Sequence, residues 1–240
     1  MINEIISIDT GSADKIAEGY FKAICGFDRD DPAKNARTGA MLRQGIAVRE
    51  QLRDSIRIRA VVSAFDKIVI SGRSIRIGPV VFVCNAFEQM ETEHITRVYA
   101  FIITAGSFEI ESASMLDRFY ADAWGTAYID AGRDILRDFI CKHEKDASAG
   151  REGSFVSDPF GPGFYGMDVE QMGNFFRLLD AEAIGVSLTG SMCMLPLKSC
   201  AGFHVAVDNA GRLPPDGCRS CLAGGKGCEY CHSRIKSKDR

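Results

Sequence analysis

The sequence predicts an α+β fold in which a twisted, mainly antiparallel sheet packs against long helices. One observation is a series of apolar runs of strand length within residues 58–104, of which 80–84 and 96–104 are the most β-rich. The other is a helical repeat of apolar residues through 114–144, a stretch without proline. Strands grouped in one part of a chain and helices in others are typical of α+β proteins.

The composition is that of an ordinary globular protein. Apolar residues make up 46% of the 240 residues and charged ones 25%, which suits one sizeable domain with or without a small module. The 29 basic and 32 acidic residues give a net charge of -3, so nucleic acid is not an expected partner. The chain begins without a basic region followed by an apolar run, and no stretch is long enough to span a bilayer. We therefore expect a cytoplasmic protein without membrane contact.

The first third of the chain combines one strand with two helices. Residues 4–9 are expected to form an edge strand. Ser12 is placed to cap a helix that continues to Cys25 and stops at Gly26. A second helix is expected over 36–56. The arginines in and after it are interpreted as a solvated face: Arg43, Arg49, Arg53, Arg57 and Arg59.

The middle of the chain contains the strands and the long helix. Short β-rich runs within 58–77 flank a Ser-Gly-Arg tripeptide at 71–73, which suits a hairpin turn. The polar segment 85–94 is expected to close as a helical turn. Small residues at 121–127 of the long helix predict close approach of another backbone. Two interpretations stay open, namely tight packing onto the sheet or one side of a ligand cleft that includes Asp122.

A stiff bend follows at 158–163, where prolines and glycines exclude both a helix and a central strand. Asp168 and Gln171 then predict the capped N-terminus of an amphipathic helix, which suits an anionic or carboxylate-bearing ligand. Residues 185–188 and 201–207 are expected to be paired strands.

The segment 189–200 between these strands carries soft sulfur side chains. Such side chains fill gaps in cores, and they also line surfaces that meet large apolar cofactors. Both interpretations stay open for Met192, Cys193, Met194 and Cys200.

The C-terminal region contains the strongest chemical motif. Nine cysteines argue for reduced thiols rather than a paired disulfide framework. Four of them, Cys218, Cys221, Cys228 and Cys231, have the spacing C-x2-C-x6-C-x2-C among glycines, which predicts a four-thiolate metal site. Zinc and an iron–sulfur cluster both suit such a site. A basic tail follows from Ser233.

Catalytic motifs are otherwise lacking in the sequence. It shows no Ser/His/Asp order, no phosphate loop and no paired carboxylates. His94, His143 and His204 have no recognisable partners in the sequence, so each is expected to be structural.

Three motifs together resemble the activation domain of cobalamin-dependent methionine synthase, in the short stand-alone form found beside corrinoid methyltransferases. Residues 162–165 (PGFY) resemble its P-G-Y loop, 184–191 (IGVSLTGS) its I-G-(V/M)-x-L-T-E-S segment, and 194–202 (MLPLKSCAG) its M-x-P-x-x-S-x-(S/A)-G segment. Their order and spacing agree over about fifty residues, and a weaker similarity covers 120–125.

This resemblance implies a fold, a function and a site. The chain would have the activation-domain fold over 1–210 and a small cysteine-rich metal module with a basic tail over 211–240. It would dock on a corrinoid-dependent methyltransferase, or on its cobalamin-binding domain, and support reductive reactivation of the cobalamin that this partner supplies. In the family this occurs by reductive methylation with S-adenosylmethionine. The implied binding residues are Asp158, Pro162, Gly163, Phe164, Tyr165, Thr189, Ser191, Met194, Pro196 and Ser199.

The chain departs from the family pattern at three places. Members that bind S-adenosylmethionine carry an arginine where this chain has Pro159, and a C-P-x-H where it has 167–170. Gly190 replaces the glutamate of T-E-S. Binding of S-adenosylmethionine therefore stays open. The alternative function is a non-catalytic protein- or nucleic-acid-binding module with a structural zinc site.

Overall fold

The computed structural model describes residues 2–27, 35–111, 114–147 and 154–214 of the 240-residue chain. The four clustered cysteines and the basic tail lie outside these ranges, as does nearly all of the predicted metal module. Within the described ranges no helix combines the length and the apolar character needed to cross a membrane.

A five-stranded antiparallel sheet forms the centre of the molecule. Its strands, in spatial order, are β1 (Glu4–Ser7), β2 (Ile56–Phe65), β6 (Ile95–Gly106), β10 (Ser199–Val207) and β7 (Phe155–Val156). Each neighbouring pair is antiparallel. The predicted antiparallel sheet and the edge position of the first strand are therefore confirmed.

Three helices cover one face of this sheet: α1 (Thr10–Ile24), α2 (Ala36–Leu52) and α3 (Met115–Ala147). Their packing centres on Phe21 and Trp124, whose rings are stacked with centroids 4.0 Å apart. The Trp124 indole N–H donates to the carbonyl of Gly45 at 2.8 Å. A Cβ on Gly45 would lie 2.5 Å from the Phe21 ring, so only glycine permits α2 to approach this closely.

The opposite face packs against a three-stranded sheet and a short helix. The smaller sheet consists of β3 (Ile68–Ser71), β4 (Ser74–Ile77) and β5 (Val80–Val83), and the helix is α4 (Met172–Leu178). Because side chains alternate along a strand, Phe203 of β10 points to this side. Its ring lies 4.7 Å from that of Phe82 and 4.6 Å from that of Phe175. The central sheet thus separates two apolar cores.

One strand pairing differs from the expectation. Residues 185–188 and 201–207 are not paired, because Gly185 has a left-handed backbone (φ 75°) and closes a 3₁₀ turn. The chain instead forms a small hairpin of β8 (Ser187–Leu188) and β9 (Met194–Leu195), while β10 pairs with β6 and β7. The strand β10 is buried on both faces from Gly202 to Val207, which favours a position inside the sheet.

The start of α4 also differs in detail. Asp168 caps this segment, since its carboxylate accepts from the Glu170 N–H at 2.9 Å. The backbone N–H of Gln171 donates to the Asp168 carbonyl at 3.1 Å, but its side chain does not complete a capping box. Its side chain bonds both the N–H and the carbonyl of Val83, at 2.6 and 2.9 Å, and so ties the segment to the exposed edge of β5.

Candidate functional site

The proline-rich bend lies directly against β10. Phe160 and Phe203 exchange two backbone hydrogen bonds, of 3.1 and 2.7 Å. The two segments that the sequence singled out, 158–165 and 189–202, are therefore in contact through residues adjoining the predicted binding residues.

This contact is made between backbones. A Cβ on Gly161 would lie 2.4 Å from the carbonyl oxygen of Ala201, and a Cβ on Gly202 would lie 2.7 Å from that of Phe160. Both glycines are buried. At this point the two segments touch without a gap, which leaves no room for a ligand between Gly161 and Gly202.

Beyond Gly161 the bend continues to the end of β5. Tyr165 has a positive φ of 49°, and its carbonyl accepts from the N–H of Asn85 at 2.9 Å. Its ring packs edge-on against Phe160, with centroids 5.7 Å apart. Phe164 points outward with 55% of its surface exposed. Of the two aromatic residues in the motif, Tyr165 is thus built into the bend and Phe164 is presented to solvent.

The β8–β9 hairpin carries two of the predicted hydroxyl groups in its turn. The Thr189 and Ser191 oxygens lie 3.0 Å apart, and Thr189 also accepts from the N–H of Cys193 at 3.1 Å. Met194 is only 8% exposed and packs in the core on this face of the sheet. Its burial favours core filling over a cofactor-lining role.

The connection from β9 to β10 is held by a hydrogen bond between two further predicted residues. The Ser199 hydroxyl donates to the carbonyl of Pro196 at 2.6 Å, and the Leu195–Pro196 peptide that precedes it is cis. The leucines on either side of the proline are exposed, Leu195 by 45% and Leu197 by 71%.

Lys198 crosses from this connection to the small-residue stretch of α3. Its ammonium group lies 2.6 Å from the Asp122 carboxylate and 3.1 Å from the Thr126 hydroxyl. A Cβ on Gly125 would lie 2.6 Å from Cγ of Lys198. The close approach predicted for 121–127 is thus made by a lysine side chain, and Asp122 lies at the solvent side of this contact as the partner of Lys198.

Buried titratable groups lie where α3 packs against β10. Burial raises the pKa of the Cys200 thiol to about 11, and Arg133 opposes that rise. Burial lowers the pKa of His204 to about 4. Its Nδ1 lies 3.0 Å from the carbonyl of Ser157, so the neutral ring donates there, while Nε2 is buried and has no partner within the described ranges. Arg137 lies 3.4 Å from the Asp158 carboxylate at the start of the bend.

The histidines have partners that the sequence did not reveal. His94 lies 3.1 Å from the carboxylate of Asp208, and His143 lies 2.9 Å from the hydroxyl of Tyr99. These partners join distant parts of the chain, which agrees with the structural role expected of each histidine.

One arginine differs from the solvated face that was predicted. Arg59 lies on β2, partly buried, on the same face as Val61 and the core around Phe203. Its Nε is buried and has no hydrogen-bond partner among the residues that the structure describes. The alternation IRIRA at 56–60 was the signal that this residue belongs to a strand with one face inward.

A separate polar pocket lies between the start of α1 and the end of α2. Its charged lining is internally paired, since Glu50 binds both Arg49 and Arg53, and the hydroxyl of Tyr128 donates to Asp14 at 2.7 Å. We therefore place the candidate site at the bend and the β8–β10 region.

Comparison with known proteins supports the fold. No protein family profile matches the chain, and no curated protein is similar to it in sequence. A solved structure, described as the MetH reactivation domain bound to AdoHcy, superposes with a TM-score of 0.65 at 12% sequence identity. The match covers 98% of this chain and 88% of the other. The chain accordingly has the fold of the MetH reactivation domain, as the resemblance of its motifs led us to expect.

Proposed function

We propose that this chain is an accessory protein that reactivates a corrinoid-dependent methyltransferase. The observation that carries the proposal is the match to the MetH reactivation domain over 98% of the chain. Near the motif segments the bend and β10 pair through the backbones of Phe160 and Phe203, and Gly161 lies against Ala201 and Gly202 of the third motif. A fold alone does not determine a function, so the site has to carry the remaining argument.

The exposed side chains of the site suit a large ligand with polar and apolar parts. Phe164, Leu195 and Leu197 present apolar surface on the bend and on the β9–β10 connection. We propose that they contact the corrinoid or the cobalamin-binding domain of the partner, because solvent-exposed apolar side chains favour association. Thr189, Ser191 and Ser199 supply hydroxyl groups beside them.

The methyl donor would be held by the same region. S-Adenosylmethionine would supply a methyl cation and leave as S-adenosylhomocysteine, and a one-electron donor would first reduce the Co(II) of the partner's corrinoid to the Co(I) that accepts this methyl cation. In this proposal the bend from Asp158 to Tyr165 positions the donor, and Gly163 leaves its backbone accessible. The Gly161–Gly202 contact holds the bend in place and leaves no room for a ligand between these two residues.

The four clustered cysteines are proposed to hold a metal centre. An iron–sulfur cluster at Cys218, Cys221, Cys228 and Cys231 would supply the electron, whereas zinc would make the C-terminal region a structural module.

Calorimetric titration of the anaerobically purified full chain tests the methyl-donor part of the proposal. We expect saturable heat with both S-adenosylmethionine and S-adenosylhomocysteine. If neither ligand gives heat at millimolar concentration, the chain does not bind the methyl donor. Corrinoid or partner binding is then the activity that remains.

A further inference from the structure

Arg59 differs from several other arginines of the protein in the hydrogen bonding of its guanidinium group. Other arginines of the protein have partners, such as Glu50 for Arg53, Glu144 for Arg97 and Asp130 for Arg133. The Nε of Arg59 is buried and has no hydrogen-bond partner in the described part of the chain. A buried donor without an acceptor is destabilising, and charged donors are more costly than neutral ones. Such a group is therefore a candidate for binding an anionic ligand.

A row of polar residues extends from Arg59 across four strands. Arg59 is in register with Ser7 of β1 on one side and with Thr104 of β6 on the other, and Thr104 is in register with Ser199 of β10. Register partners in an antiparallel sheet lie about 5 Å apart and point to the same face. We call Ser7, Arg59, Thr104 and Ser199 the polar row. It borders the apolar core of that face, where Val61 and Ile102 follow in the same strands.

The residues that enter and leave the β8–β9 hairpin contact two members of the polar row, Arg59 and Ser199. On one side a Cβ on Gly185 would lie 3.4 Å from Nη2 of Arg59, so the guanidinium lies against the backbone that enters β8. On the other side Ser199 donates to the carbonyl of Pro196, directly after β9. The hairpin turn with Thr189 and Ser191 lies between these attachments. The motif segment 184–191, which carries the predicted binding residues Thr189 and Ser191, thus lies against Arg59 at Gly185.

We propose that Arg59 binds the anionic group of the ligand at this site, with a carboxylate as the first choice and a phosphate as the second. A planar guanidinium suits both groups because it offers parallel N–H donors to two oxygens. The carboxylate assignment rests on the proposed function, in which the ligand is S-adenosylmethionine. The assignment of Arg59 as the anion-binding residue rests on its buried Nε, which has no hydrogen-bond partner in the described residues, and on the sheet geometry.

Paired ligands test this assignment. S-Adenosylhomocysteine carries an amino-acid carboxylate, and 5′-methylthioadenosine is the matched thioether nucleoside without it. We expect Arg59→Gln to weaken S-adenosylhomocysteine binding by about 10- to 100-fold, as for a lost charged hydrogen bond, and to change methylthioadenosine binding by less than about twofold. Arg59→Lys should lie between the wild type and Arg59→Gln. Arg76→Gln, at an exposed position of β4, is the control and should bind as the wild type does.

The outcomes separate this inference from the proposed function. Unchanged S-adenosylhomocysteine binding in Arg59→Gln, or an equal loss of both ligands in variants with wild-type circular dichroism, would overturn the inference and leave the function standing. If the wild type binds neither nucleoside, the methyl-donor function fails, and titration with inorganic phosphate decides. Phosphate binding that disappears in Arg59→Gln supports the arginine as an anion site, and no phosphate binding by the wild type rejects it.

Discussion

Phe160 and Phe203 exchange two backbone hydrogen bonds, and this exchange joins the proline-rich bend to the central sheet. Two adjacent glycines, Gly161 after Phe160 and Gly202 before Phe203, allow the two backbones to come together. The bend is therefore positioned by β10, and the predictions below begin with this contact.

Replacing Gly202 with alanine is expected to destabilise the protein. The new Cβ would lie 2.7 Å from the carbonyl oxygen of Phe160, which is backbone and cannot turn away. We expect a loss of about 1–3 kcal/mol, typical of overpacking, measured by urea denaturation. Gly173→Ala in α4 is the matched control, because its Cβ meets nothing within 4 Å. The control should be neutral or stabilised by up to ~1 kcal/mol. Equal stability of the two variants would contradict the packing of the bend.

Removing the Glu144 carboxylate is expected to lower the free energy of unfolding more than Gly202→Ala does. Glu144 is 3% exposed and accepts from Arg97 at 2.7 Å and from the Tyr99 hydroxyl at 2.5 Å. Glu144→Ala leaves a partly buried guanidinium without its partner, for which we expect a loss of about 3–5 kcal/mol. Glu182→Ala, at an exposed position, should change the free energy of unfolding by less than ~0.5 kcal/mol. A loss below ~1 kcal/mol for Glu144→Ala would show that the carboxylate is not buried in this network.

Acid is expected to destabilise the fold through His204. Burial lowers its pKa from 6.5 to about 4 in the folded protein, so the unfolded chain binds the proton first as the pH falls. Stability should therefore be unaffected by this group above about pH 6.5 and decrease between about pH 6.5 and pH 4, by ~3 kcal/mol in total. Urea denaturation across this range measures the slope. His204→Asn keeps an N–H for the Ser157 carbonyl without titrating, and it should be less dependent on pH than the wild type. An identical slope in the two proteins would rule out His204 as its origin.

The thiols are expected to differ in reactivity. Burial raises the pKa of Cys200 to about 11, which leaves little thiolate near neutral pH. Cys193 is exposed in the hairpin turn. Brief alkylation with iodoacetamide at pH 8, followed by peptide mass spectrometry, should label Cys193 well before Cys200. Faster labelling of Cys200 would mean that solvent reaches the contact between α3 and β10.

Metal content tests the prediction for the C-terminal cysteines. Anaerobically purified protein should contain iron with inorganic sulfide, or zinc, and a double variant Cys218→Ser/Cys228→Ser should lose it. Cys193→Ser is the control and should retain the metal. Wild-type protein without metal would contradict the prediction and show that these cysteines are free thiols. Brown colour would distinguish an iron–sulfur cluster from zinc.

Local patterns predicted much of the fold. The apolar repeat of 114–144 indicated α3, observed as Met115–Ala147, and the run at 96–104 indicated β6, observed as Ile95–Gly106. The tripeptide 71–73 indicated the β3–β4 hairpin, in which Gly72 has a φ of 56°. These elements are determined by periodicity and turn residues within a few positions of one another.

Contacts between distant residues were not predictable in the same way. β10 was assigned the wrong partner because strand pairing depends on the whole sheet and a short apolar run carries no information about its neighbour. Gln171 was expected to complete a cap and binds Val83 instead, 88 residues away in sequence. Arg59 of β2 was grouped with the helical arginines. Its position beside Thr104 in the sheet follows only from the strand register. The bend was recognised from its prolines, whereas its contact with Gly202 required the fold.

The central claim is tested most directly by the visible spectrum of cobalt. Anaerobically purified protein is mixed with a methionine synthase cobalamin-binding domain that carries oxidised cobalamin, in the presence of a one-electron reductant and S-adenosylmethionine. We predict conversion of the oxidised spectrum to that of methylcobalamin, dependent on both this chain and the methyl donor. A spectrum that changes at the same rate without the chain would contradict the proposed reactivation.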